Sequence, residues 1–326
     1  MTGIVLSAQA VERRFGGGRT LLGRRKPEVH AVQSLDLDVQ NGETLGVVGE
    51  SGCGKSTLAR MLVGLDRPTS GSIRMHGDDL VRMAETDPRA LARTIQYVFQ
   101  DPASSLNPRK TIRDILSAPM IHLLRQVPSS RKHRLEKLLD AVNLPAEVLS
   151  RYPHEFSGGQ AQRIVIARAL AAEPRIIILD EPVSALDVSI QAQVLNLLSD
   201  LKDRFGLTYI FISHDLAVVE SISDRVAVMY FGRIVELGNA ATLFRAPRHP
   251  YTRLLLDSAP VPGKRKIKSE MDTAEVPDPL HPPPGCAFAP RCPRAEDFCR
   301  RQRPLLEPRN GAAQAAACHF PLPVDE

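Results

Sequence analysis

Residues 49–57 read Gly-Glu-Ser-Gly-Cys-Gly-Lys-Ser-Thr, the pattern G-x-x-x-x-G-K-[ST] in full, and their flanks restrict the fold more than any other stretch. An apolar run, Thr44 to Val48, precedes them, and a helix-like run, Ser56 to Leu65, follows and stops near Pro68. Strand, glycine loop and helix in that order make a phosphate cradle. The glycines let backbone N–H groups turn inward, and the helix presents its N-terminus to an anion. On this reading Gly49, Ser51, Gly52 and Gly54 shape the loop and Lys55 adds a point charge. Ser56 and Thr57 open the helix, with the Ser56 hydroxyl as a Mg²⁺ ligand. Cys53 fills a variable loop position and has no expected role beyond being small, though exposure there could make it modifiable.

Two shorter motifs extend this. Ile176-Ile177-Ile178-Leu179-Asp180-Glu181 is an apolar run ending in two acids. Asp180 would close a buried strand, where its carboxylate reaches Mg²⁺ through water. Glu181 would face the terminal phosphate, where it can orient or deprotonate an attacking water, an effect of ~10²–10⁴ in rate. Phe156-Ser157-Gly158-Gly159-Gln160 lies about twenty residues before the acids and about a hundred after the glycine loop. Ser157 and its two glycines offer unhindered N–H groups at a helix start.

The pattern along the chain predicts an α/β fold. Residues 4–48 read mostly as strand, with Ala31 to Val39 alternating as a half-buried strand does. Gly16 to Glu28, rich in Gly and Arg, reads as a surface loop, and 72–77 as strand and turn. Residues 89–170 read as helical, with Leu135, Leu138, Leu139 and Val142 at helical spacing and a strong helix over 160–172. Strand 176–180, helix 188–204, strand 208–213 and strand 225–230 follow. Such alternation implies a mostly parallel sheet covered on both faces.

Composition is that of a globular chain, 43% hydrophobic and 24% charged, and a net charge of +5 over 326 residues does not argue for nucleic acid. No apolar run approaches the ~20 residues that span a bilayer, and Met1 to Ala10 shows no secretory pattern. The expected place is therefore the cytoplasm, with any membrane work done from the surface. Prolines and basic residues mark 259–284 as a linker between a domain over 4–258 and a small module over 285–326. Four of the five cysteines, Cys286, Cys292, Cys299 and Cys318, fall in that module. In a cytosolic chain, clustered cysteines point to metal more than to disulfides.

Taken in order, the three motifs make residues 4–255 resemble the ATPase subunit of an ATP-binding cassette (ABC) transporter. The resemblance implies a RecA-like core, an antiparallel β subdomain and a helical subdomain, with ATP and Mg²⁺ as cofactors. It implies that Ser157, Gly158, Gly159 and Gln160 face the ATP held by a second subunit. Gln100 resembles the lid glutamine that touches Mg²⁺ and the membrane partner. His214, after the strand ending at Ser213, resembles the switch histidine on the γ-phosphate, and 184–187 resembles the loop coupling two sites. The aromatic that stacks on adenine in that family is matched best by Phe15.

Further stretches resemble one branch, the ATPase subunits of dipeptide, oligopeptide and nickel importers, most of all the second ATPase of dipeptide importers. They are 98–102, 105–109, 151–156, 181–189, 248–252 and the tail from Pro283 to His319. The resemblance implies a peripheral protein on the cytoplasmic face of the inner membrane. Its partners would be a paralogous ATPase, two permeases and an extracytoplasmic solute-binding protein, with no nucleic acid. Nickel or another small solute is the alternative cargo. A soluble cassette ATPase is the alternative class; such proteins usually carry two cassettes or a long coiled-coil insertion, and this chain shows neither. The tail spacing, Cys-x₅-Cys-x₆-Cys-x₁₈-Cys, lacks the paired knuckles usual for zinc. Similar importer tails carry a [4Fe–4S] cluster, which is the expectation here, with Zn²⁺ or free thiols as alternatives.

Overall fold

The computed structural model describes residues 3–18, 27–258, 277–308 and 314–323. In chain order the first elements are β1 (Ile4–Gly16), β2 (Glu28–Gln40), β3 (Thr44–Val48), α1 (Lys55–Leu62), β4 (Ser70–Met75) and β5 (Asp78–Asp79). Then come α2 (Leu80–Thr86), α3 (Pro88–Thr94), β6 (Ile95–Val98), α4 (Pro102–Ser105), α5 (Ile112–His122), α6 (Pro128–Ala141) and α7 (Gly158–Leu170). The chain continues through β7 (Ile176–Asp180), α8 (Val188–Phe205), β8 (Thr208–Ile212), α9 (Leu216–Ile222), β9 (Arg225–Tyr230) and β10 (Arg233–Asn239). It ends with α10 (Ala240–Arg245), α11 (Pro250–Ser258), α12 (Asp297–Arg301), β11 (Glu307–Pro308) and β12 (Ala315–Ala316).

These strands form two sheets. The larger has the order β11-β12-β10-β9-β3-β8-β7-β6. From β9 to β6 all pairings are parallel, and β10, β12 and β11 extend one edge in antiparallel fashion. Strands β3, β7 and β8 are buried at every residue, which is why each reads as a continuous apolar run rather than an alternating one. The smaller sheet, β2-β1-β4-β5, is antiparallel. The residues inside it, among them Leu6, Val11, Leu35, Leu37 and Ile73, share a core with α1 and with one face of the large sheet. Helices α5, α6 and α7 pack beside the opposite face through Ile115, Leu116, Leu135, Leu138, Leu139 and Ile164.

Three expectations need correction. The stretch 89–170 is not all helical: Ile95–Val98 is a strand that closes the parallel edge beside β7. Four residues are too few to reveal a period of two. Strand β10 has no counterpart in the sequence reading. Gly16 and Glu28, assigned to a loop, pair with each other at the hairpin ends of β1 and β2; residues 19–26 lie outside the described residues. Most of the linker, 259–276, also lies outside them.

The tail is laid along the edge of the large sheet. Ala316 pairs with Glu236 and Ala315 with Leu237. Glu236 is buried, and its carboxylate accepts from the Arg248 N–H (2.6 Å), the His249 N–H (3.0 Å) and Gln314 Nε2 (2.6 Å). Burial pushes that carboxyl up. Tyr230, Tyr251 and Phe288 then close an aromatic triangle with centroids 4.5–5.4 Å apart. This triangle joins β9, α11 and the tail.

His249, 1% exposed, accepts the Tyr251 N–H on Nδ1 at 3.0 Å. Burial lowers it from 6.5 to about 4, so it is neutral in the fold at pH 7. Between these values the unfolded chain takes up a proton that the folded chain refuses. Stability therefore falls as pH drops from 6.5 to 4, by about 3 kcal/mol in all, while the raised Glu236 works in the opposite direction. Asn at 249 can keep the acceptor without the titration. His249→Asn is expected to flatten the fall in urea midpoint between pH 7 and pH 4.5.

Candidate active site

The glycine loop leaves β3 and enters α1 with two backbones pressed against it. A Cβ on Gly49 would lie 2.2 Å from the Met229 carbonyl oxygen, and one on Gly54 would lie 2.4 Å from that of Ala31. Both glycines have positive φ, 152° and 105°. No other residue fits either place. Lys55 is buried. Its Nζ donates to the carbonyls of Gly49 (2.6 Å) and Glu50 (3.0 Å), so the ammonium is folded back into the loop. Cys53 is buried too, so the exposure that modification would need is absent. Burial raises its thiol, so it is neither accessible nor reactive as placed.

Above the loop lies a cavity of about 850 Å³, within the range of small-molecule sites. Residues 50–57 form its floor, and Gln100, Glu181 and His214 line one side. Ser56 Oγ donates to Asp180 Oδ1 at 3.4 Å, and Tyr97 Oη donates to Asp180 Oδ2 at 2.6 Å. Burial, then the neighbouring carboxylate, raises the Tyr97 hydroxyl, so it stays protonated as a donor. Ser56 and Asp180 thus offer hard oxygen donors side by side, as Mg²⁺ requires.

The two acids diverge although they are adjacent. Asp180 ends β7, whereas Glu181 has φ 48°, in the left-handed region. The Glu181 N–H donates to the Ile212 carbonyl at 2.9 Å, and its own carbonyl accepts from Ser184 N (3.3 Å) and Oγ (3.1 Å). Its carboxylate, 15% exposed, accepts from Gln100 Nε2 at 3.0 Å and stands 3.1 Å from His214 Nδ1. Glu181, bonded by Gln100 and with His214 in contact with its carboxylate, stands at the cavity wall.

The other expected residues lie elsewhere. Phe15 is on β1, 39% exposed, with the Arg13 guanidinium 4.6 Å from its ring; it pairs with Val29, which lines the cavity, but does not line it itself. Ser157 caps α7: Gln160 N–H donates to Ser157 Oγ (3.5 Å) and Ser157 N–H to Gln160 Oε1 (3.2 Å). None of residues 157–160 lines the cavity. The four tail cysteines face one gap of about 20 Å³ together with His249 and His319. Burial raises the thiols of Cys286, Cys292 and Cys318, the last to about 11. Among the described residues no three of His, Cys, Asp or Glu stand close enough to hold a metal ion. As placed, the four thiols do not form a group that holds a metal.

Sequence reasoning missed Tyr97, and with it Arg291, Val29, His30 and Pro277 to Pro279, all in or against the cavity wall or floor. Tyr97 had only a weak signal, a lone hydroxyl three residues before Gln100; the strand that aims it at Asp180 shows only in the structure.

The chain matches the family model "ABC transporter" over residues 32–184 and the model "Oligopeptide/dipeptide transporter, C-terminal region" over 235–299. It is 53% identical to a probable peptide ABC transporter ATP-binding protein of Sinorhizobium fredii, covering 91% of this chain and 84% of that one. Identity is 45% to a di/tripeptide transport ATP-binding protein of Pseudomonas aeruginosa, over 97% of both chains. It is 51% to an oligopeptide transport ATP-binding protein of Salmonella typhimurium, over 85% of this chain and 84% of that one. Among solved structures, a dimeric ATP-binding cassette in a post-hydrolysis state bound to ADP and phosphate superposes with a TM-score of 0.64 at 26% identity, covering 72% of this chain and 98% of that one.

Tyr97→Phe removes one charge-assisted bond to a buried carboxylate. It is expected to destabilise the chain by about 2 kcal/mol, read as a lower urea midpoint with an unchanged slope.

Proposed function

The chain belongs to the ATP-binding subunits of ABC transporters, in the branch that carries the oligopeptide/dipeptide C-terminal region, and on that premise we propose that it hydrolyses ATP to drive import of di- or oligopeptides through partner permeases. The observation that carries this is the convergence of Lys55, Ser56, Gln100, Glu181 and His214 on one cavity, with Asp180 bonded to Ser56 at its edge.

The roles follow from position. Backbone N–H groups of the glycine loop and Lys55 take the β- and γ-phosphates, for which Lys55 exchanges its two carbonyl acceptors. Ser56, Asp180 and Gln100 would hold Mg²⁺, which when bound supplies charge screening for the phosphates. Tyr97 fixes the Asp180 carboxylate. Glu181 accepts a proton from water as the water oxygen bonds to the γ-phosphorus and the bond to the bridging oxygen breaks, leaving ADP and phosphate. His214 donates to the γ-phosphate; Phe15, outside the cavity but paired with Val29 of its wall, is assigned to the adenine by the family resemblance and not by position.

Ser157 to Gln160 lie outside the chain's own cavity, which supports a site completed by a second subunit, a paralogue or another copy. The groove near Gln100 and the 101–115 segment is assigned to the permease contact, with Phe99 exposed beside Gln100. Among the described residues no helix is long and apolar enough to cross a membrane, which fits a peripheral place on the cytoplasmic face. For the tail cysteines we assign packing of the tail against α11. Iron and acid-labile sulfide in stoichiometric amounts in anaerobic preparations would instead restore the cluster.

Glu181→Gln is expected to bind ATP as the parent does and to lose about 10²–10⁴ in turnover; hydrolysis within twofold of the parent would remove Glu181 from this role. Specific ATPase activity of the isolated chain is expected to rise with protein concentration. Full activity from a strict monomer in sedimentation would remove the second subunit from the scheme.

A further inference from the structure

Glu50 places a carboxylate inside a loop shaped to receive phosphates, and the tail answers it. Arg291 Nη1 and Nη2 donate to the two Glu50 carboxylate oxygens at 2.8 Å each, a bidentate pair across 241 residues of chain. The Arg291 side chain is 6% exposed and lies beside the rings of Phe288 (5.7 Å) and Tyr230 (5.9 Å). The Glu50 backbone is tied on the same side. Its N–H donates to Tyr251 Oη at 2.9 Å, while its carbonyl accepts from Lys55 and from the Cys53 N–H at 3.2 Å. The described end of the linker also reaches the cavity: Pro277, Asp278 and Pro279 line its wall, and the Pro279 carbonyl accepts from the His30 N–H at 3.2 Å.

We propose that Arg291 is a positioning residue of the nucleotide site: it neutralises and clamps Glu50, so that the glycine loop holds its shape and accepts the triphosphate. This rests on the reading of residues 49–57 as an ATP site. A carboxylate left unpaired beside the phosphates would repel them, and a bidentate guanidinium cancels that charge while fixing its direction. Lysine at 291 keeps the charge and loses the fork.

The experiment uses the full chain and titrates a fluorescent ATP analogue with Mg²⁺, alongside urea unfolding. Arg291→Ala is expected to weaken binding about tenfold, or about 1.4 kcal/mol, and Arg291→Lys to recover part of it. The deciding variant is Arg291→Ala with Glu50→Gln. Removing the stranded charge is expected to restore most of the affinity even though the tail contact stays lost. A purely structural arginine would lower stability in both variants with no recovery of affinity. Unchanged affinity in folded Arg291→Ala or Arg291→Lys, or additive losses in the double variant, overturns the proposal. If the parent itself binds no ATP, the reading of the site fails instead.

Discussion

The site depends on how closely the glycine loop approaches two neighbouring backbones. Gly49 lies against Met229 of β9 and Gly54 against Ala31 of β2, each too near for a Cβ. One neighbour belongs to the large sheet and the other to the small one, so the loop is the wedge between them. The wedge is stitched by backbone bonds: Gly232 N–H donates to the Cys53 carbonyl at 2.8 Å, and Gln33 N–H donates to the Gly232 carbonyl at 2.8 Å. Gln33 Nε2 adds a bond to the Phe231 carbonyl at 2.9 Å. A loop held this way has its N–H groups set before any anion arrives, and little is lost in ordering it on binding. Lys55, folded back on its own loop carbonyls, has its ammonium satisfied there, and on the proposed reading a phosphate would replace them.

Catalytic placement then turns on one strained residue. Two adjacent side chains of a straight strand would point to opposite faces. Here Asp180 has to reach Ser56, while Glu181 has to reach the cavity wall with Gln100 and His214. The left-handed backbone at Glu181 makes the turn, at a cost of about 1–2 kcal/mol. The bonds to the Ile212 carbonyl and from Ser184 hold it there. Strain fixed on both sides of a carboxylate is a means of aiming it.

Much of this was legible in the sequence where several residues acted locally. The bounds of β3, β7 and β9 follow from largely apolar runs, and the loop from its glycine spacing. The capped start of α7 follows from Ser157 and Gln160. What was not legible depends on contacts distant in sequence. Strand β6 is four residues long, and β11 and β12 are two each; they exist because a neighbouring edge offers bonds, not because of their own pattern. Arg291 gives no signal among the tail arginines, since its meaning lies in Glu50, 241 residues away. The cysteine spacing suggested a metal, yet among the described residues no three such donors stand close enough to hold one, although all four thiols face one gap beside His249 and Phe288. Spacing reports how often a residue recurs, and not how the chain packs between recurrences.

The signature stretch and the cleavage acid are closer in the fold than their motifs suggest. Gly158 has no room for more than a slight shift of Leu186, whose methyl would lie 3.3 Å from an added Cβ, and Gly159 would drive a Cβ to 2.5 Å from Ile190. The N-terminus of α7 is thus pressed onto 184–190. That same segment begins with Ser184, which bonds the Glu181 carbonyl. In the two-subunit reading, a phosphate of the neighbour's ATP settling on Ser157 pushes on Leu186 and, through Ser184, on the strained backbone of Glu181. A strained dihedral responds to small displacements. The glycines at 158 and 159 let the start of the helix lie against Leu186 and Ile190, so on the two-subunit reading a load on that helix start would be felt at Glu181.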